Sequence, residues 1–309
     1  MFEPKENPLA AHDVKIRGLA GKLSEGGHWF TVTQLWYAAA RKANRSAQTS
    51  GAGCGMIGLI VVGVVLLGVG FAGPTALAVV GGLLILVAAT LLVLRRSGVW
   101  KHAVAVRMPL DEFRQQVVSG WTRVYGGLPA GLVDERQVRP GPPPANPAFA
   151  VLSPDHAVLT CLRVNDVERR YNAALAAKVG DLPPGTPVAV IHDASVEGEL
   201  FLAQARHELP GRRVIDVGLR PSAVLAAKGS FRLRTTARHP ERIAWLRANT
   251  TLTPAELAWL GEGWWAPAAT LRPGQLIARV EKAAAAAGRS GDPDQRAAAA
   301  VGFMTWPAE

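Results

Sequence analysis

Hydrophobic and polar positions divide the chain into one strongly apolar block and two more polar flanks. No charged residue lies between Arg45 and Arg95. About 20 consecutive apolar residues cross a bilayer core about 30 Å thick, so the block has room for two spans. It therefore predicts a hairpin of two transmembrane helices over 52–72 and 75–94, within the segment 51–95.

Basic residues close to both ends of the apolar block predict its orientation. The positive-inside rule places both basic flanks in the cytoplasm. The chain is then an integral protein of the inner or plasma membrane with cytoplasmic N and C termini, and the lipid bilayer is its first partner. Aromatic and basic residues near the inner boundary fit the headgroup layer. The residues expected to anchor the hairpin there are Trp36, Tyr37, Arg41, Lys42, Arg45, Arg95, Arg96 and Trp100.

Small residues are frequent in both predicted spans, and Gly63 and Gly81 are two of them. Small side chains let helix backbones approach closely, so we expect the two helices to pack on each other. The same residues leave open that the hairpin also assembles several copies of the chain.

Helical periodicity returns in the two segments that flank the apolar block. Within the N-terminal segment 1–50, the apolar residues of about 31–45 fall on one face and predict an amphipathic helix. The segment 96–139 holds a second helical pattern, and the prolines of 140–147 indicate a linker. The composition of 289–309 predicts a flexible tail.

Beyond the linker, short β-branched runs alternate with helical patterns over 148–235. The runs 187–191 and 213–217 predict buried strands, and 197–209 between them predicts a helix. Strands that alternate with helices pair in parallel through right-handed crossovers. The sequence therefore predicts an α/β domain with a small, mostly parallel sheet.

Four further segments of this domain complete the expected secondary structure. The apolar run 157–162 is interpreted as a strand, and 164–179 as a helix. An edge strand is expected at 149–152 or at 231–234.

A helical extension rich in tryptophan follows over 236–288. Thr253 and Glu256 stand at the N-cap and N3 positions of one of its helices, which is the pattern of a capping box. The tryptophans are expected in the core; if exposed, they would mark a partner site. The predicted fold class is thus a membrane α-helical hairpin (two transmembrane helices) plus a cytoplasmic α/β domain and this helical C-terminal extension.

Charge and cysteine content narrow the possible partners. The formal net charge is +10, and basic residues concentrate in the second half of the chain. Too few aromatic residues lie among them for a base-stacking platform, so nucleic acid is not an expected partner. Cys54 and Cys161 lie far apart and indicate neither a disulfide framework nor a metal site. A possible anion-binding set is Arg212, Arg213, Arg232 and Arg234.

The strongest candidate for chemistry directly follows the strand predicted at 187–191. Ligands of α/β sheets bind at the carboxyl ends of strands, and three carboxylates there could hold Mg²⁺ through oxygen ligands. The alternative is structural, with Ser195 as a helix N-cap and the glutamates opposing the helix dipole. The weak catalytic candidates are His192, Asp193, Glu197 and Glu199.

No GxSxG, HExxH, P-loop or paired CxxC motif is present in the sequence. We therefore expect a membrane-anchored, cytoplasmic-facing interaction or scaffold protein without catalytic activity, cofactor or metal. It would hold a protein partner or further copies of itself. One alternative is a diverged nucleotide- or Mg-binding α/β enzyme or sensor tethered to the membrane and using Asp193. A third hypothesis is an oligomeric membrane effector.

Overall fold

The computed structural model describes residues 7–9, 11–73, 75–96, 103–227 and 229–291. The chain forms two compact units. The first unit combines Met1–Ala39 with Val106–Glu309, and the second unit is Ala40–Ala105. The finer domain boundaries predicted from the sequence stay predictions.

Twelve α-helices and eight short strands are found in the described part of the chain. In chain order these elements are α1 (Asp13–Leu23), β1 (Phe30–Thr31), α2 (Val32–Ala72), α3 (Thr75–Arg96), α4 (Leu110–Phe113), α5 (Ser119–Tyr125), β2 (Leu132–Val133), β3 (Phe149–Leu152), α6 (His156–Val164), α7 (Val167–Arg170), β4 (Ala173–Ala176), β5 (Val188–Val190), α8 (Val196–Glu208), β6 (Val214–Asp216), α9 (Pro221–Ala226), β7 (Leu233–Arg234), α10 (Pro240–Asn249), α11 (Pro254–Gly261), β8 (Trp264–Trp265) and α12 (Pro273–Gly291). A π-helical turn, Arg114–Val118, joins α4 to α5.

The first unit is built on a four-stranded parallel sheet with the strand order β4-β3-β5-β6. The register pairs Ala150 with Val188 and Val188 with Val214. The chain winds to one side from β3 to β4 and to the other side from β5 to β6. The point at which this direction reverses, between β3 and β5, is the usual place for a ligand crevice in open α/β sheets.

Helices cover both faces of this sheet. On one face, Val151 and Ile191 pack in a core with residues of α6 and α12, such as Cys161 and Leu276. On the other face, Leu152, Val188 and Val190 pack against α8. Strands buried on both sides have continuous apolar sequences, which is the pattern of 187–191.

The structure agrees with some sequence predictions of secondary structure in the first unit and corrects others. The strands predicted at 187–191 and 213–217 and the helix at 197–209 are confirmed as β5, β6 and α8. The segment 149–152 is an interior strand and not an edge strand. The segment 231–234 contributes β7, which pairs with β8 in a separate antiparallel ladder.

Two predictions on the early part of the domain are wrong. The run 157–162 is helical, because the Asp155 carboxylate caps α6 by accepting from the N–H groups of Ala157 (2.8 Å) and Val158 (3.3 Å). The predicted helix 164–179 contains strand β4, whose alanines pair with β3 in the sheet. Tertiary pairing here overrides the helix propensity of alanine.

The transmembrane hairpin predicted over 52–72 and 75–94 is also wrong. Over the residues that the structure describes, no helix presents a window long and apolar enough to cross a membrane. A crossing takes about 20 consecutive apolar residues. The predicted integral membrane location is therefore wrong as well, and the cytoplasmic placement of both termini, which was inferred from the hairpin, has lost its basis.

Helices α2 and α3 pack on each other within the second unit, as their small residues predict. A Cβ atom added at Gly81 would lie 2.6 Å from the Gly63 carbonyl oxygen, and one added at Gly63 would lie 2.8 Å from Cγ1 of Ile85. Real Cβ atoms do not approach other atoms this closely. Glycine at these two positions is therefore what lets the backbones approach.

The residues assigned to membrane anchoring have other surroundings in the first unit. The Trp36 indole N–H donates to the Met108 carbonyl (2.8 Å), and the Tyr37 ring packs edge-on against Phe231 with centroids 5.3 Å apart. Because the predicted location is wrong, the anchoring role has lost its basis. Arg41 and Lys42 lie on α2. Outside the described residues lie the side chains of Arg45, Arg95 and Arg96, the whole of Trp100, Pro74, and the residues 292–309 of the segment predicted to be a flexible tail.

Candidate functional site

The carboxyl ends of β5 and β6 bring two polar residues together. His192 follows β5 after one residue, and Asp216 is the last residue of β6. The two strands are parallel neighbours, so their carboxyl ends lie at the same edge of the sheet. The imidazole Nε2 of His192 is 3.1 Å from Oδ1 of Asp216.

The His192 imidazole is fully buried. Its Nδ1 lies 2.8 Å from the backbone carbonyl oxygen of Asp193, and its Nε2 faces the Asp216 carboxylate. Both of these groups only accept, so both ring nitrogens must donate. Burial alone lowers the pKa of His192, but the hydrogen bond to Asp216 and the nearby charge of Glu199 outweigh burial and raise it. His192 therefore has no free nitrogen with which to act as a base.

Asp216 is held as a carboxylate by three donors. Besides His192, the backbone N–H of Gly218 (3.0 Å) and Nε of Arg220 (2.6 Å) donate to it. Burial raises its pKa, but the hydrogen bond and the charge of His192, helped by Arg220, lower it to about 2. Asp216 is thus ionised at any physiological pH.

Gly218 fixes the position of the His192 ring. A Cβ atom at Gly218 would lie 2.3 Å from Cδ2 of His192, so only glycine fits against the imidazole. Arg279 of α12 donates to the carbonyl oxygens of Val217 and Gly218 and holds this loop from the other side. The loop after β6 is therefore positioned by side chains from two other elements.

An open pocket of about 750 Å³, here named the edge pocket, lies beside this pair. Residues of α8, the end of β6, α9, α10 and α11 surround it. Its lining includes Glu199, Leu200, Ala203, Gln204, Arg206, His207, Asp216, Arg220, Ser222, Trp245, Asn249, Leu252, Thr253 and Glu256. A pocket of this size accommodates a small molecule of metabolite size.

Glu199 is the unusual residue of the edge pocket. Its residue surface is only 6% exposed, and within the described part of the chain its carboxylate has no hydrogen bond and no ion pair. Burial, more than the neighbouring acids Asp216 and Glu256, raises its pKa above the ordinary value despite the His192 charge. Buried carboxylates are normally paired or hydrogen-bonded, so this one calls for an explanation.

Glu256, on the opposite side of the edge pocket, shows the ordinary arrangement. It accepts from the Thr253 N–H and hydroxyl (both 2.8 Å) and from the Ser222 N–H (3.0 Å). Burial raises its pKa, but these hydrogen bonds from Thr253 and Ser222 lower it overall. The capping box predicted for Thr253 and Glu256 is confirmed.

Of the three carboxylates that the sequence grouped as possible magnesium ligands, Asp193 and Glu197 line one pocket and Glu199 lines another, the edge pocket. Asp193 accepts from the Ala268 N–H (2.7 Å), and burial raises its pKa to about 6. Glu197 is exposed and pairs with Arg242 (3.2 Å). Glu199 alone lines the edge pocket. Among the described residues, no group of three or more His, Cys, Asp or Glu side chains could hold a metal ion.

The four arginines of the possible anion-binding set donate to backbone oxygens at separate places. Arg212 donates to the carbonyl oxygens of Thr186 and Pro183, and Arg213 to that of Ala286. Arg232 and Arg234 likewise donate to the carbonyl oxygens of Val224 and Glu262. Anion binding by this set stays a prediction.

Sequence reasoning named His192 and Glu199 but missed three residues that shape their site. Asp216 carried a usable signal, because it ends the strand next to β5 and thus shares its carboxyl edge. Glu256 was identified only as part of a cap. Trp245 lines the pocket from α10. No sequence pattern connects it to Glu199, which lies 46 positions earlier in the chain.

Comparisons of the chain with protein-family models, with curated proteins and with solved structures gave no significant match.

Proposed function

We propose that the first unit is a binding domain for a small polar molecule, which it takes up in the edge pocket. The observation that carries this proposal is Glu199, a buried carboxylate that lines a pocket of about 750 Å³ and has no partner among the described residues. The position at the carboxyl edge of a parallel sheet supports it further.

The energetics of burial explain why an unpaired carboxylate points to a ligand. A buried polar group without a hydrogen bond costs about 1–3 kcal/mol, and more when it is charged. Asp216 and Glu256, which line the same pocket, avoid this cost through three hydrogen bonds each. A ligand that donates to Glu199 would remove the cost from the bound state.

Neither His192 nor Asp216 is available for acid–base chemistry in the pocket. A general base needs a free acceptor atom within reach of its substrate, and both nitrogens of His192 are occupied. Asp216 is likewise committed to His192, Gly218 and Arg220. This leaves a shaped, polar cavity with one uncommitted acid, which suits a sensor or a carrier.

The test is thermal unfolding of the full chain with a panel of small molecules that spans sugars, amino acids, nucleosides, alkylamines and carboxylates. We expect at least one class to raise the melting temperature, since a ligand at 100 times its Kd stabilises by about 2.7 kcal/mol. Ala203→Phe would fill the pocket from α8 and abolish the shift.

Ala258→Phe is the matched control, because Ala258 is exposed on α11 and does not line the edge pocket. It should leave the shift intact. The proposal fails if no class stabilises the chain, or if the stabilisation survives Ala203→Phe.

A second candidate function, binding of a protein partner or of further copies of the chain, is favoured by the second unit. Large apolar side chains are exposed on both of its helices, among them Val65, Val69, Leu83 and Leu86. Exposed apolar surface of this extent is typical of interaction surfaces. Light scattering of the full chain measures whether it assembles.

A further inference from the structure

We infer that the molecule bound in the edge pocket carries a positively charged nitrogen, which pairs with Glu199, beside a flat apolar part, which stacks on Trp245. This inference rests on the proposed function and specifies the chemical class of its ligand. It combines three features of the pocket: an uncommitted acid, a solvated set of basic groups and an exposed indole.

The acidic residues that line the edge pocket determine the sign of the charge that its ligand carries. Asp216 and Glu256 have their oxygens engaged by donors of the protein, so the free acceptor capacity of the wall is that of Glu199. An anionic ligand would bring like charge against the carboxylate of Glu199, a residue that is only 6% exposed. A cation gains both the charge interaction and the missing hydrogen bonds.

The basic residues of the lining do not supply that cation themselves. Arg220 is engaged with Asp216 and its side chain is 59% exposed, and Arg206 and His207 are exposed on α8. No ion pair joins any of them to Glu199 in the described part of the chain. His192 and Arg220 act on the Glu199 carboxylate through their charge, but in the described part of the chain neither donates a hydrogen bond to it, so its acceptor capacity stays open to a ligand.

Trp245 supplies the second contact. It lies on α10, lines the edge pocket and is 44% exposed, although indole rings are mostly buried in folded proteins. An open indole face attracts both planar apolar groups and cations. Leu200 and Leu252 add apolar surface to the same lining.

A bare divalent metal ion fits this pocket less well than an organic cation does. Metal sites need several converging ligands, and the described residues form no such group of three. One carboxylate and one indole are, in contrast, sufficient to orient an amine through a hydrogen-bonded ion pair and a stacking contact.

The experiment compares three probes of similar shape and different charge: 2-phenylethylamine, 2-phenylethanol and 3-phenylpropionate. Each is titrated into the full chain and followed by NMR chemical shifts. We expect the amine to bind roughly tenfold or more tightly than the alcohol, the value of one charge-assisted hydrogen bond. The carboxylate should bind most weakly.

Variants assign the two contacts separately. Glu199→Gln should remove the preference for the amine over the alcohol. Trp245→Ala should weaken both probes by a similar factor. Glu208→Gln is the matched control on the same helix, because Glu208 is exposed and does not line the pocket, and it should change neither affinity.

The outcomes separate this inference from the function on which it rests. If the alcohol or the carboxylate binds as tightly as the amine, or if Glu199→Gln keeps the preference, the ligand class is wrong. If the amine does not bind, but another molecule does and Ala203→Phe abolishes its binding, the proposed function is supported and this inference is wrong. If nothing binds, both fall.

Discussion

Two buried glutamates of the first unit, Glu135 and Glu199, have nearly the same exposure and opposite surroundings. Glu135 is 5% exposed and accepts from the Val32 N–H (3.1 Å), the Thr33 hydroxyl and the Arg114 guanidinium. Glu199 is 6% exposed and, within the described residues, accepts from nothing. Burial alone therefore does not distinguish a structural acid from a binding acid.

The difference lies in what each carboxylate does for its neighbours. Glu135 satisfies the first N–H of α2 and the charge of Arg114, so it joins the start of one helix to the π-helical turn. Among the described residues, the Glu199 carboxylate accepts no hydrogen bond and forms no ion pair, and it lies at an open cavity. Removal of a buried acid that binds other groups of the protein should lower the stability of the fold. Removal of a buried acid that binds only a ligand should not.

The largest expected effect is that of Glu135→Ala. The substitution leaves the Arg114 side chain, which is 12% exposed, without its closest partner and strands the Val32 N–H. Breaking a buried ion pair from one side costs about 3–5 kcal/mol. Urea unfolding followed by tryptophan fluorescence measures this loss. Glu135→Gln, which keeps an acceptor oxygen, should cost less, and a loss below about 1 kcal/mol for alanine would contradict the structural role.

Gly218→Ala has the next largest expected effect. It tests the packing of the His192–Asp216 pair beside the edge pocket. The new methyl group would overlap the buried His192 ring, and overpacking of this kind costs about 1–3 kcal/mol. Gly261→Ala is the control, because a Cβ atom there meets nothing within 4 Å. Equal stabilities of the two variants in urea would show that His192 is not held against Gly218.

The smallest effect, and the one of opposite sign, is expected for Glu199→Gln without ligand. Burial raises the Glu199 pKa, so the folded chain binds this proton more tightly than the unfolded chain does. The stability that this group contributes is present below its ordinary pKa and is lost as pH rises through the raised value. Glutamine should therefore stabilise the chain by about 1 kcal/mol at pH 8, and the gain should vanish near pH 4.

Urea unfolding of both proteins at the two pH values measures this gain. A loss of stability at pH 8 would mean that Glu199 has a charged partner in the ligand-free protein. The contrast with Glu135 would then disappear.

The sheet was predictable where local pattern and tertiary environment agree. The run 187–191 is β-branched and buried on both faces, so its pattern and its place in the sheet indicate the same structure. The segment 173–176 consists of three alanines and a leucine, which favour a helix in isolation. Its pairing with β3 depends on a strand more than 20 residues away, which no local pattern reveals.

The location of the site could be predicted from the sequence, but the residues that line it could not. The carboxyl end of β5 was identified correctly as the place of polar residues, but Glu197 and Glu199 were grouped although they lie two positions apart on one helix. Residues at that spacing point about 200° apart around the helix axis. One therefore faces Arg242 and the other faces the edge pocket.

The interior position of β3 has a consequence for synthesis of the chain. This strand leaves the ribosome first among the four, yet both of its edges wait for strands that come later. About 40 residues separate Leu152 from Val190, which corresponds to roughly 2–8 s of translation at about 5–20 residues per second. The edge of β3 that pairs with β5 stays open throughout that interval, and the edge that pairs with β4 stays open until Ala173–Ala176 is made, so each can pair with another nascent chain. The order of strands thus leaves β3 exposed to edge-to-edge pairing during the translation of the segment between β3 and β5.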